Sequence, residues 1–306
     1  MSKSTENNEQ LDIFGRIEKV KNGRKVAKKP DELEPERHPQ KDFFSADIVD
    51  CAFKDDQASM EAPIFSLATK EDLKIWKWVS VDGLRSVEVA PSIYGRATIH
   101  DKDVLIYCAS QLTDAINHNQ PISRTIRFTA YNFLVATNRA TRGDDYDRLL
   151  TTLQRLKGTT ITTNIETGKR RPRADVFGLI DSASMVKDPN NDARMVGIEI
   201  TLSEWLYNAI QAQEVLTLHK DYFRLRKPLE RRLYEIARKH VGKQPTWKIG
   251  LKSLKEKSGS TQKLLRRFRA EILKIIEADT LPEYQMHIVD HDFVEFSQRK
   301  TALKLL

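Results

Sequence analysis

Near the C-terminal end, apolar residues recur at three- and four-residue steps: Leu264, Leu265, Phe268, Ile272, Ile275 and Ile276. That spacing predicts a helix running from Thr261 with one buried stripe. Its opposite face carries Gln262, Lys263, Arg266, Arg267, Arg269 and Lys274. Upstream, Leu251 and Leu254 mark a short helix that stops at Ser258-Gly259-Ser260, a breaker that also offers an N-cap hydroxyl. Two helices joined by a tight glycine turn predict a helix-turn-helix. From Tyr284 to Phe296 apolar and polar residues alternate, which predicts a β-hairpin and makes the unit a winged helix.

The same alternation occurs earlier, at 74–81 and 86–89. Trp76 and Trp78 share a parity there and face one side, as core or as an assembly surface. A helix is predicted over 102–118, with Val104, Leu105, Tyr107, Cys108, Leu112 and Ile116 inward, then a strand over 122–128. Thr129 caps a second helix, Arg139 to Gly143 form a turn, and a third helix over 144–157 buries Tyr146, Leu149, Leu150, Leu153 and Leu156. A hairpin follows, 159–163 with 176–180, whose tip holds Lys169, Arg170, Arg171 and Arg173. A strand over 195–202 leads to a helix capped by Ser203, and 215–219 forms another short strand. Pro228 opens and Gly242 closes a helix that points Leu229, Leu233, Ile236, Ala237 and Val241 inward, with Arg231, Arg232, Arg238 and Lys239 outside. A short strand at 247–249 precedes the C-terminal helix pair. The order helix, strand, helix, helix, hairpin thus occurs twice, over 102–181 and 228–297. The expected fold class is α+β: two tandem winged-helix domains, 46–212 and 213–306, after a disordered charged tail over 1–45.

Charge sharpens this picture. The chain of 306 residues has a net charge of +8. Between Lys248 and Lys274 nine Lys/Arg face only Glu256 and Glu271. Such one-signed density repels itself unless a polyanion neutralises it, and Arg suits bidentate contact with phosphate and guanine. The basic hairpin tip reads as a wing for a phosphate backbone or minor groove. By contrast, Asp144, Asp145 and Asp147 suit the positive end of the first module's third helix but repel DNA. In the tail, a basic half (Arg16 to Lys29) precedes Asp31, Glu32, Glu34 and Glu36, and could add nonspecific DNA affinity.

The residues offer no catalytic constellation. No phosphate-cradling G-x-x-x-x-G-K-[ST] occurs. His287 and His291, with Asp290 and Asp292 nearby, fall in a hairpin rather than on one helix face, so no metal is expected. Cys51 and Cys108 are far apart and fit neither a zinc framework nor a disulfide scaffold. With no signal peptide and no run of about 18 apolar residues, a cytoplasmic protein is expected, away from membranes. The reading is a binding protein without cofactor, not an enzyme.

Arg232-Leu-Tyr-Glu-Ile-Ala-Arg-Lys-His, then Ser258-Gly-Ser with Arg266-Arg267-Phe268, resemble plasmid replication initiators, and more narrowly the replication initiator protein A family. The likeness covers most of residues 50 to 300. It implies two winged helices on directly repeated origin DNA, the C-terminal module reading the major groove. It also implies monomers that initiate, dimers formed through the first domain that repress the initiator's own promoter, and recruitment of host initiator and helicase. On this resemblance the recognition position falls to Ser260, Thr261, Gln262, Lys263, Arg266, Arg267 and Arg269. The acidic start at Asp144 departs from the pattern and leaves open whether the first module reads bases. Two other classes stay open: a dimeric winged-helix transcriptional regulator without a replication role, and a nuclease or relaxase.

Overall fold

A computed structural model describes residues 32–38, 52–168, 174–186, 197–290 and 292–299. The described residues from Leu33 onward fall in one compact unit. It is mixed α and β, and its elements run β1 (Lys54–Asp56), α1 (Gln57–Glu61), β2 (Trp76–Val79), β3 (Ser86–Ala90), α2 (Lys102–Asn117), β4 (Thr125–Thr129), α3 (Ala130–Ala136) and α4 (Gly143–Gly158). Then come β5 (Thr160–Thr163), β6 (Asp175–Gly178), β7 (Ile180–Val186), β8 (Gly197–Leu202), α5 (Glu204–Gln211) and β9 (Val215–Thr217). A 3-10 turn (Lys220–Arg224) leads to α6 (Pro228–Val241), β10 (Thr246–Gly250), α7 (Leu251–Ser258), α8 (Leu265–Ala278), β11 (Tyr284–Val289) and β12 (Phe293–Gln298).

Among the described residues every pairing between these strands is antiparallel, and Ser66↔Thr98 forms an isolated parallel bridge. The sheets are β2-β3-β5-β6, β4-β8-β7, β10-β12-β11 and the pair β1-β9. The expected order of helix, strand, helix, helix, hairpin is present in both stretches, but the two differ in pairing. In the second, β10 adds to its own hairpin through β12; in the first, β4 pairs with β8 while the β5–β6 hairpin joins β3. Hydrophobic side chains gather into two cores. One includes Val87, Val89, Val104, Leu105, Phe133, Leu149, Leu153, Ile161, Ile200 and Trp205. The other includes Tyr222, Leu233, Ile236, Phe268, Ile272, Tyr284, Met286, Val294 and Phe296, together with Met60 and Ile106 from early in the chain.

Local rules account for the helix starts. Thr129 accepts a hydrogen bond from the Asn132 N–H and Ser203 from the Leu206 N–H, each quenching an orphan donor. Pro228 opens α6, and Gly242 at φ 53° ends it.

Four expectations are corrected. The helix α8 begins at Leu265, not Thr261, so Ser260 to Lys263 lie in the preceding loop. Leu264 and Leu265 are exposed, because the first turn projects past the residues the core covers; Phe268, Ile272 and Ile275 form the buried stripe. Leu150 is also exposed, the α4 stripe being narrower than its leucine count. Most consequentially, Arg231 and Arg232 are buried: the polar flank of α6 packs against the first core's elements instead of facing water. Within the tail, residues 33–38 are packed on the body, with Leu33 against the second core, and Glu32 before them is exposed; residues 1–31 and 39–45 lie outside the described residues.

The charges buried between α2 and α6 form two clusters. Arg231 Nη1 donates to Asp103 at 2.6 Å, and Arg139 Nη2 donates to the other Asp103 oxygen at 2.8 Å. Lys102 Nζ lies 2.6 Å from Asp55 and 3.1 Å from Glu235, which also accepts from the Tyr222 hydroxyl at 2.7 Å. Arg232 donates to Glu235 and to the carbonyls of Ser59, Glu61 and Lys257. Unpaired, such charges would be prohibitively costly to bury; paired and hydrogen-bonded, they fix one register between α2 and α6.

Trp78 is buried in the first core and Trp76 packs against it. Of the two roles open to them, they take core. The outward parity of the same strand region instead carries Leu73, Ile75, Val79 and Val81, all exposed.

Candidate nucleic-acid interface

The C-terminal helix pair is set by one glycine. Gly259 ends α7 at φ 74°, a left-handed conformation that glycine adopts at no steric cost. A Cβ there would meet Pro63 Cβ at 2.8 Å, so the turn also presses against the first half of the chain. The Ser258 hydroxyl donates back to the Lys255 carbonyl rather than capping α8. Ser260 accepts from the Gln262 N–H at 3.3 Å and thereby shapes the loop.

No side chain caps α8 at Leu264. Its first-turn N–H groups and the positive end of its dipole are therefore open to an anion. Arg266 and Arg267 are exposed in that same turn. Lys263 and Thr261 are exposed in the loop just before it.

The candidate residues separate into two sets. Gln262 donates to Glu271 at 2.5 Å and Arg269 to Asp292 at 2.6 Å, which ties the loop and the helix to their surroundings. Lys248 pairs with Glu295 and Lys257 with Glu61. Among the described residues, Lys252, Lys255, Lys263, Arg266, Arg267 and Lys274 have no ion-pair or hydrogen-bond partner on their side chains. The first set shapes the surface; the second supplies its uncompensated charge.

The hairpin beside α8 is held by the register Met286↔Phe296 and Ile288↔Val294, with Trp247↔Phe296 on its other side. Trp247 stacks on His240, ring centroids 4.5 Å apart. Behind this, burial raises the Glu61 pKa, but His240 at 3.2 Å and the Lys257 hydrogen bond at 2.6 Å outweigh it and hold the carboxyl well below the usual range.

The first helix pair is electrostatically different. The Arg142 N–H donates to Asp145 at 3.1 Å, and Arg148 lies 3.4 Å from the same carboxylate. Asp145 thus caps its own helix. The basic tip residues Lys169, Arg170, Arg171 and Arg173 lie outside the described residues, on the connection between β5 and β6. His291 lies outside them as well. Among the described residues no group of His, Cys, Asp and Glu has metal-site geometry, and no helix is long and apolar enough to cross a membrane. Cys108 is buried, and burial pushes its thiol up to about 12; Cys51 lies outside the described residues.

What sequence reasoning missed is the role of Arg231, Arg232, Tyr222 and Glu235. The heptad-like α6 pattern placed the arginines on a solvent face. The signal available was Lys102-Asp103 in an otherwise apolar helix, a pair of charges that calls for buried partners.

Comparison with known proteins agrees with this architecture. Domains 2 and 3 of RctB superpose with a TM-score of 0.57 at 13% identity, covering 79% of this chain and 98% of that one. A second structure of RctB domains 2–3 gives 0.51 at 14% identity, over 78% and 95%. At such identities the likeness is one of fold. A protein of Wigglesworthia glossinidia brevipalpis named "Putative replication protein" is 40% identical over 263 residues, 85% of this chain and 94% of that protein. Residues 54–286 match the family model described as Replication initiator protein A. The chain belongs to the replication initiator protein A family.

Proposed function

We propose that this chain is a plasmid replication initiator that binds directly repeated origin sequences through two winged-helix modules, 46–212 and 213–306. Bound there, it helps to open the origin, recruits host initiator and helicase, and represses its own promoter as a dimer. It acts without a cofactor and without catalysis. The observation that carries the reading is the first turn of α8: an uncapped helix N-terminus flanked by unpaired Lys263, Arg266 and Arg267. This suits α8 to the major groove, with Arg266 and Arg267 toward base edges and Ser260, Thr261 and Lys263 toward phosphates. Gln262 and Arg269 act by holding the loop and hairpin in place. Lys169, Arg170, Arg171 and Arg173 contact backbone from the other module.

The test is a binding titration of the full chain on origin repeats at several salt concentrations. Arg266→Ala or Arg267→Ala costs on the order of 1–3 kcal/mol on the cognate repeat. Neutralising Lys169, Arg170 and Arg171 flattens the salt dependence by about 0.9 for each phosphate that is no longer neutralised, leaving sequence preference unchanged. Unaltered affinity in both α8 variants would sink the assignment.

A homodimer through the first module is supported by β2. Among the described residues it is an edge strand, bonded only to β3, and Leu73, Ile75, Val79, Val81 and Leu84 around it are exposed. An unpaired edge beside apolar surface favours symmetric pairing of two copies.

A further inference from the structure

The acidic stretch before the first domain does something specific at Leu33–His38. Leu33 packs on the second core. The Glu34 N–H donates to the Arg224 carbonyl at 2.9 Å, and Arg224 Nε donates to the Glu34 carbonyl at 2.5 Å. The Glu34 carboxylate accepts from Arg226 Nε at 3.1 Å and from Arg37 Nη2 at 3.1 Å. These contacts anchor one end of the segment to the approach to α6.

Its other end is anchored elsewhere. The Arg37 N–H donates to Asn138 Oδ1 at 2.7 Å, and Asn138 Nδ2 donates to the Pro35 carbonyl at 3.2 Å. His38 Nε2 donates to the Arg139 carbonyl at 2.8 Å. Asn138 and Arg139 form the turn between α3 and α4, on the first core. Asn138 sits at φ 56°, a left-handed residue whose amide thereby reaches the segment. Six residues thus span from the second core's approach to the first module's helix turn.

Beneath them lies a cavity of about 510 Å³ lined by Asp103, Arg139, Arg231, Asp145 and Arg148, with Glu34 and Arg37 in its wall. The segment therefore crosses the open side of the buried Asp103–Arg139–Arg231 cluster. That cluster joins the halves from within; the segment joins them from without.

We propose that Leu33–His38 is a strap that locks the angle between the two helix pairs. The lock makes the protomer a rigid two-point reader whose contacts fall at a fixed separation on DNA. A loose joint would dilute the second contact once the first has formed, because its effective concentration falls with the volume explored. The DNA consequence rests on the proposed function; the lock itself does not.

The experiment uses the full chain. Glu34→Pro removes the N–H that meets Arg224 and touches neither core, so it cannot unfold them directly. Asn138→Ala releases the other end. Spin labels at Ser184→Cys and Glu277→Cys, both exposed sites, in a Cys51→Ser background report the distance between the halves; Cys108 is buried. Backbone hydrogen exchange at Glu34 and Arg37 reports docking. In the unaltered strap those amides are protected and the distance distribution is narrow. Protection disappears at Arg37 in either variant and also at Glu34 in Asn138→Ala, the distribution widens at least twofold, and affinity for a whole repeat falls several-fold while that for a half-repeat bound by α8 alone is unchanged. A distribution that stays narrow once protection has disappeared overturns the strap, as does fast exchange of both amides before any substitution. Failure of every form to bind repeats overturns the proposed function instead, and the distance measurement still decides the strap.

Discussion

Arg231 and Asp103 are 128 positions apart in the chain and 2.6 Å apart in space, both buried. The Asp103 carboxylate meets a second guanidinium, Arg139, at 2.8 Å. Burial alone would raise its pKa, but Arg231 first and Arg139 next pull it below the ordinary value. Removing Asp103 leaves two cations in a site built for none.

Asp103→Ala is therefore expected to destabilise the fold by about 3–5 kcal/mol, the range for breaking a buried pair by removing one partner. Urea unfolding at neutral pH measures it. Asp144→Ala, an exposed acid, serves as the comparison and stays within about 0.5 kcal/mol of the unaltered chain. Equal effects of the two would show that the cluster does not hold the halves.

His100 gives the pH dependence. Burial lowers its pKa to about 3, helped by the charge of Arg231 and then of Arg139 and opposed by Asp103 and Asp101. In the unfolded chain a histidine titrates near ~6.5. Between those values the unfolded state binds the extra proton, so stability is full above pH ~6.5 and falls as pH drops toward 3. The slope from this group reaches about 1.4 kcal/mol per pH unit. His240, lowered by burial, adds the same sign. Comparing unfolding at pH 7 and pH 5, His100→Asn should lose less stability than the parent chain; identical losses refute the assignment.

Gly259→Ala tests the turn of the C-terminal helix pair. The left-handed backbone costs an alanine about 1–2 kcal/mol, and its methyl meets Pro63 at 2.8 Å. Thermal unfolding should report at least that loss. A neutral substitution would mean the turn is not pressed between the halves.

For self-association, Val79→Asp places a charge on the outer parity of edge strand β2. Sedimentation should show the parent as a dimer and the variant as a folded monomer. A parent that is monomeric at all concentrations removes the dimer from the proposed function.

How much of this was legible before the fold was known differs by element. The Gly259 turn, the Thr129 and Ser203 caps and the Pro228 start followed from local chemistry, which acts within four residues. So did the order of elements over 102–178 and 228–298, since periodicity is local too, whereas β1, α1 and β7 gave no such signal. Pairing was not legible: nothing near Thr125 says that β4 joins β8, far along the chain, rather than the hairpin next to it. The arginines of α6 were misplaced for the same reason. A helical wheel separates apolar from charged faces but cannot tell water from a buried carboxylate on another helix. The start of α8 was set too early because apolar Leu264 and Leu265 extend the pattern past the last covered turn.

The pairing of β1 with β9 also bears on how the chain is made. Residues 54–56 leave the ribosome long before residues 215–217, their only strand partner among the described residues. Met60 and Ile106, made early, belong to a core whose other members, such as Tyr234 and Phe268, are made late. During synthesis the early half waits with apolar side chains uncovered until α6 emerges. A message broken before Val241 then yields a product for quality control to remove rather than a free-standing first module.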